Sequence, residues 1–113
     1  MVVHRTLGPG FLESVYKGAL VLELQKCGLR AECERKIAVL YDGAPVGEFA
    51  ADLLVEDEVL VELKAVATLS TAHEMQVVHY LTATGLNVGL LLNFGSSSLQ
   101  FKRKHRAYKQ AAE

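Results

Sequence analysis

Apolar residues along the chain change their spacing several times, and each change predicts a new element. In "GPGFLESVYKGALVLELQKCGL" the residues Phe11, Leu12, Val15, Ala19, Leu22 and Leu24 recur near helical spacing. Pro9-Gly10 marks the start and Gly28 can take the left-handed conformation that ends a helix, so the pattern predicts a helix over about 10–27. The period then falls to two. Ile37, Val39 and Tyr41 alternate with Lys36, Ala38 and Leu40 as far as Asp42-Gly43, and Val46 opens a second extended run. Asp-Gly between two such runs signals a hairpin, because both residues tolerate the positive φ that a tight turn needs.

The second run passes from Glu48 through Val55, turns at Glu56-Asp57-Glu58 and returns from Val59 to Ala65, which makes a three-strand antiparallel meander. Helical spacing resumes in "LSTAHEMQVVHYLTATG". Ser70 or Thr71 can cap its start, Glu74 suits the positive end of the helix dipole and Gly85 stops it, so a helix over about 71–84 is expected. "LNVGLLLNFG" is almost continuously apolar, as a strand buried on both faces should be, and strand, helix, strand in succession implies a parallel crossover. The order is α-β-β-β-α-β, with "SSSLQFKRK" as a possible last edge strand: an α/β fold with a mixed sheet, read as one domain over 1–113.

Composition narrows this picture slightly. With 113 residues and half of them hydrophobic, the chain suits a single core. A formal net charge of −1 gives no whole-molecule pull on nucleic acid, so a polyanion would have to meet a local patch. Cys27 and Cys33 have no partners at zinc spacing and read as reduced thiols, which with the lack of a secretory signal points to the cytoplasm. No apolar stretch approaches the roughly 20 residues that a bilayer requires.

Candidate chemistry lies in the meander's second hairpin, "DLLVEDEVLVELKA". A three-residue tip would place Val55 opposite Val59, Leu54 opposite Leu60 and Asp52 opposite Glu62, with opposed Cβ atoms roughly 4.5–5.5 Å apart. Lys64 follows on the same face by the period of a strand. Two opposed carboxylates destabilise a sheet unless something neutralises them, and Mg²⁺ favours oxygen ligands, often one or two carboxylates, with water and phosphate at its other positions. The lysine could orient or deprotonate an attacking water, or stabilise charge on a phosphate. Alternatively Glu-x-Lys is an exposed cross-strand charge pair, and a two-residue turn would send Asp52 to the other face. Gln76 and Tyr80, four apart on the second helix, share a face that should pack near the end of the Glu-x-Lys strand. A half-buried polar residue beside an amphipathic aromatic would look the same.

Gly10, Glu13 and Tyr16 fit Gly-x-x-Glu-x-x-Tyr, and "GPGFLESVY", "ADLLVEDEVLVELKAV", "QVVHYL" and "VGLLLNFG" follow in order. In this set the chain resembles the bacterial GxxExxY proteins, a family assigned to the PD-(D/E)XK nuclease superfamily. The resemblance implies a restriction-endonuclease-like αβββαβ core and metal-dependent hydrolysis of phosphodiester bonds in nucleic acid, DNA ahead of RNA. It places Asp52, Glu62 and Lys64 at the catalytic positions, adds Glu13 from the first helix, and assigns Asp52, Glu62 and Glu13 to Mg²⁺ or Mn²⁺. Gln76 and Tyr80 look like the Gln-x-x-x-Tyr motif of RecB-type nucleases, which contacts substrate or orients catalytic groups. His4 matches a Val-His upstream of the family's glycines, with its role open. Ala51 stands where the superfamily has its name-giving proline.

Lys102, Arg103, Lys104 and Arg106, with Lys109, His105 and Tyr108, could track a nucleic-acid backbone and stack on its bases, or form a solvated basic terminus. The competing function is a catalytically inactive nuclease-fold module that binds nucleic acid or a protein partner. A homodimer through apolar faces of the first helix or last strand would enlarge either surface.

Overall fold

The computed structural model describes residues 2–106. Its elements are α1 (Val2–Leu7), α2 (Glu13–Lys26), β1 (Ala31–Tyr41), β2 (Ala44–Val55), β3 (Val59–Lys64), α3 (Thr71–Thr84), β4 (Val88–Asn93) and β5 (Gln100–His105). The five strands form one mixed sheet in sequence order, antiparallel throughout except where β3 and β4 run parallel across the α3 crossover.

Local chemistry sets most boundaries. Asp42 and Gly43 both adopt positive φ in the two-residue turn between β1 and β2. Ser70 accepts the His73 amide and His73 Nδ1 accepts the Ser70 amide, a reciprocal cap, while Gly85 ends α3 in the left-handed region. The helix start expected near residue 10 falls at Glu13, because Gly8 and Gly10, at φ of 67° and 113°, carry the chain round a bend between α1 and α2.

β3 and β4 alternate between two apolar layers. Val61, Leu63 and Leu92 face α1 and α2 in a core with Val3, Tyr16, Leu20, Leu53 and Phe94. Leu60 and Leu91 face α3 in a second core with Ala51, Val77 and Leu81. Gly89 is required by this second contact, since a Cβ there would lie 2.8 Å from Val77 Cγ1. The buried stripe of α2 differs from the expected one. Tyr16 and Leu20 are buried and Ala19 and Leu24 pack beside them, whereas Leu12 and Leu22 are 76% and 61% exposed and Phe11 and Val15 also face outward. A helix on one side of a sheet buries a single i, i+4 stripe, so apolar residues flanking it stay outside. Beyond the Ile37–Phe49 pair, whose side chains still pack on the α3-side core, the β1–β2 hairpin is exposed over most of its length, and the longest dimension is 47 Å.

Candidate active site

The β2–β3 ladder pairs Val55 with Val59, Leu54 with Leu60 and Leu53 with Val61, as a three-residue tip requires. It stops there, so Asp52 and Glu62 are not a regular opposed pair. Asp52 instead turns its carboxylate into the sheet, where Oδ2 accepts the Leu63 amide at 2.9 Å. The parity of β2 breaks at the same place. Leu53 lies in the α2-side core and Ala51, two residues away, in the α3-side core, although alternate residues of a regular strand share one face. Asp52 therefore sits where β2 parts from β3, joined to β3 by its side chain.

Glu62 lies between Val61 and Leu63 of the α2-side core, so its side chain is directed to the α3 side, where it is buried and Oε1 has no hydrogen-bond partner. Burial pushes its pKa up to about 8, and the adjoining Asp52 carboxylate raises it further, while the Asp52 backbone and the Lys64 ammonium pull it down. Lys64 shares the face of Glu62 by strand alternation and is half-buried. From α3, Tyr80 stacks on Phe49 with ring centroids 3.9 Å apart. Burial raises the pKa of its phenol, as do the Glu62 and Asp52 charges, and a hydrogen bond with Gln76 opposes them. The fold thus gathers Asp52, Glu62, Lys64, Gln76 and Tyr80.

Two carboxylates, one with a buried unbonded oxygen, form a hard-oxygen donor set that suits a divalent cation such as Mg²⁺. Glu13 is not drawn into it: the residue is exposed at the first position of α2, and among the described residues no group of three or more His, Cys, Asp and Glu side chains is placed to hold a metal. The other residues of its motif shape the chain. Tyr16 donates to the Gly8 carbonyl at 2.6 Å, accepts the Phe11 amide at 3.0 Å and stacks on Phe94 at 4.6 Å, locking the glycine bend. His4 is buried with Nε2 3.0 Å from the Ser96 carbonyl, which ties α1 to the turn after β4.

The basic segment is divided. Lys102 and Lys104 pair with Leu91 and Gly89 and so face α3, where Lys104 contacts Glu74 at 2.6 Å. Arg103 pairs with Leu90 and points to the opposite face, and Arg106 donates to the Gly85 carbonyl at 3.3 Å. Tyr108 and Lys109 lie outside the described residues. The acidic tip is exposed but held, with Asp57 paired to Arg30 and Arg35.

Sequence reasoning missed two polar residues near the site. Lys17, one helical turn beyond Glu13, pairs with Glu34 and feels the Asp52 charge; its i+4 spacing from Glu13 was the available signal. Asn93 is fully buried at the end of β4, facing Lys64 in the ladder. Nothing in an apolar run ending in Asn distinguishes such a residue from an ordinary strand end.

The crystal structure of SSO0001 superimposes with a TM-score of 0.62 over 88% of this chain at 16% identity, a likeness of fold. This chain spans 53% of that one. No curated protein matches significantly. Among the described residues no helix is long and apolar enough to cross a membrane. A family model described as the PD-(D/E)XK nuclease superfamily matches residues 1–104, and with the five-stranded mixed sheet of restriction-endonuclease-like form the chain belongs to that superfamily.

Proposed function

We propose that this chain is a metal-dependent nuclease of the GxxExxY kind that hydrolyses phosphodiester bonds, with DNA as the favoured substrate. The observation that carries this reading is the buried Glu62 carboxyl, its Oε1 unbonded, beside the Asp52 carboxylate at the parting of β2 and β3. Burying such a pair lowers stability, and a fold keeps an arrangement of that kind where a ligand compensates it. Asp52 and Glu62 would hold Mg²⁺ or Mn²⁺. When bound, the ion would supply a Lewis acid and a more acidic water. Lys64 stands on the same face with a charge able to steady an attacking water or a phosphate oxygen. Tyr80 is stacked on Phe49, its phenol feels the charges of both carboxylates, and a hydrogen bond with Gln76 would steady the hydroxyl for contact with substrate.

Incubation of supercoiled and single-stranded DNA with Mg²⁺ or Mn²⁺ tests the proposal. Cleavage should fall at least about a hundredfold in Lys64→Ala and Asp52→Asn, the scale on which removal of one charge-stabilising group slows an enzyme, with circular dichroism unchanged. Undiminished cutting by both variants would assign the activity to a contaminant. A second reading, a nuclease-fold module that binds without cutting, is favoured by the position of Glu13 outside the carboxylate pair. Calorimetry separates the two: metal binding weakened by Glu62→Gln supports the nuclease, and no binding even with nucleic acid present supports the module.

A further inference from the structure

Glu34 has an anomalous backbone for the interior of an edge strand. Its φ is +53°, a left-handed value that a residue with a side chain keeps only where its surroundings hold it. At this point the β1–β2 ladder passes from Cys33–Leu53 to Arg35–Ala51 and leaves Glu34 and Asp52 unpaired between them. Asp52, released from β1, is the residue that reaches the Leu63 amide on β3. Glu34 is held from the helix layer, where Lys17 of α2 donates to its Oε1. The lysine side chain is only 20% exposed against 55% for Glu34, so the covered partner is the one fixed by the helix.

We propose that Lys17 is a positioning residue of the active site: by holding Glu34 in its left-handed conformation it keeps the β1–β2 ladder open at Asp52 and leaves that carboxylate free to bind Leu63 and adjoin Glu62. The functional consequence rests on the reading of Asp52 and Glu62 as a metal-binding pair. The Lys17 ammonium is correspondingly raised in pKa, chiefly by its hydrogen bond to Glu34, against burial and with a smaller pull from Asp52. A half-exposed ion pair adds little to global stability, so the effect of Lys17 is local.

Charge and position make opposite demands here. Deleting a cation near Asp52 would by itself favour binding of another cation, whereas releasing Asp52 from its place would weaken it. The test compares Lys17→Met, Lys17→Arg and Lys17→Met/Glu34→Gly with wild type, reading amide exchange at Leu63 and Leu91 by NMR and Mn²⁺ affinity by calorimetry. In Lys17→Met, Leu63 should exchange about tenfold faster with Leu91 unchanged, as local rather than global opening requires, and Mn²⁺ should bind more weakly. Lys17→Arg should keep wild-type values. The double variant should recover most of the Leu63 protection, because glycine adopts positive φ without support. Tighter Mn²⁺ binding with unaltered Leu63 exchange would reduce Lys17 to a bystander charge, and equal acceleration at Leu63 and Leu91 would make it a general stabiliser; either overturns the proposal. If wild type binds no Mn²⁺, the metal reading fails while Leu63 exchange still decides whether Lys17 positions Asp52.

Discussion

At neutral pH the Glu62 carboxyl is largely protonated, because burial and the Asp52 charge carry its pKa from an ordinary 4.5 up to about 8. The folded chain therefore keeps a proton that the unfolded chain releases above about pH 4.5, and stability falls as pH rises between those two values. The loss approaches about 1.4 kcal/mol for each pH unit while the two states differ by one proton. Urea unfolding followed from pH 5 to pH 9 should show this decline in wild type and a much flatter profile in Glu62→Gln, the variant being the more stable of the two at pH 9. A wild-type profile as flat as that of the variant would mean that Glu62 is solvated. Mg²⁺ binds the deprotonated pair, so its apparent affinity should rise across the same window as the proton is displaced.

The end of β4 governs the segment that leaves the site. Asn93 Oδ1 accepts the Val66 and Gly95 amides at 2.9 and 3.0 Å, and Nδ2 donates to the Val66 carbonyl at 2.8 Å and to Gln100 Oε1 at 2.9 Å. Asn93→Leu should therefore cost about 3 kcal/mol or more, since each stranded buried partner contributes roughly 1–3, and chemical denaturation measures it. Gly95→Ala should be comparably damaging, because its Cβ would lie 2.4 Å from the Val66 carbonyl oxygen. Val66 is two residues past Lys64, so both variants should also lower any activity that depends on that lysine. Neither residue could be singled out from sequence, because both act on Val66, which lies 27 residues from Asn93 in the chain. The Asp42-Gly43 turn, the Ser70 cap and the Gly85 stop were legible, since each acts on backbone within a few residues of itself. The register that brings Asp52 toward Glu62 was legible from the tip, but the flip in β2 was not. It follows from Glu34 and from a helix packed across it, and period two has no term for either.

At the scale of the whole molecule, a net charge of −1 and a divided basic strand limit how a polyanion can be held. Alternation puts Lys102 and Lys104 on one face and Arg103 on the other, and Lys104 is engaged by Glu74, whose pKa is lowered by the hydrogen bond from Lys104 and then by its charge. Phe101, 65% exposed on the Arg103 face, offers a stacking surface there. If the chain binds single-stranded DNA, few phosphates can be neutralised at once. The dependence of log K on log salt should then be shallow, with a slope no steeper than about −3, at about 0.7 for each phosphate contact. Fluorescence anisotropy with a labelled oligonucleotide, metal withheld, measures it. Lys102→Ala should flatten the slope by about 0.7 and Lys104→Ala by less, because Lys104 already has a partner. Glu74→Gln releases that lysine and should tighten binding at low salt while steepening the slope by a similar step. A slope unaffected by all three substitutions would move the nucleic-acid contact away from β5 altogether, toward the exposed β1–β2 hairpin or the glycine bend before α2.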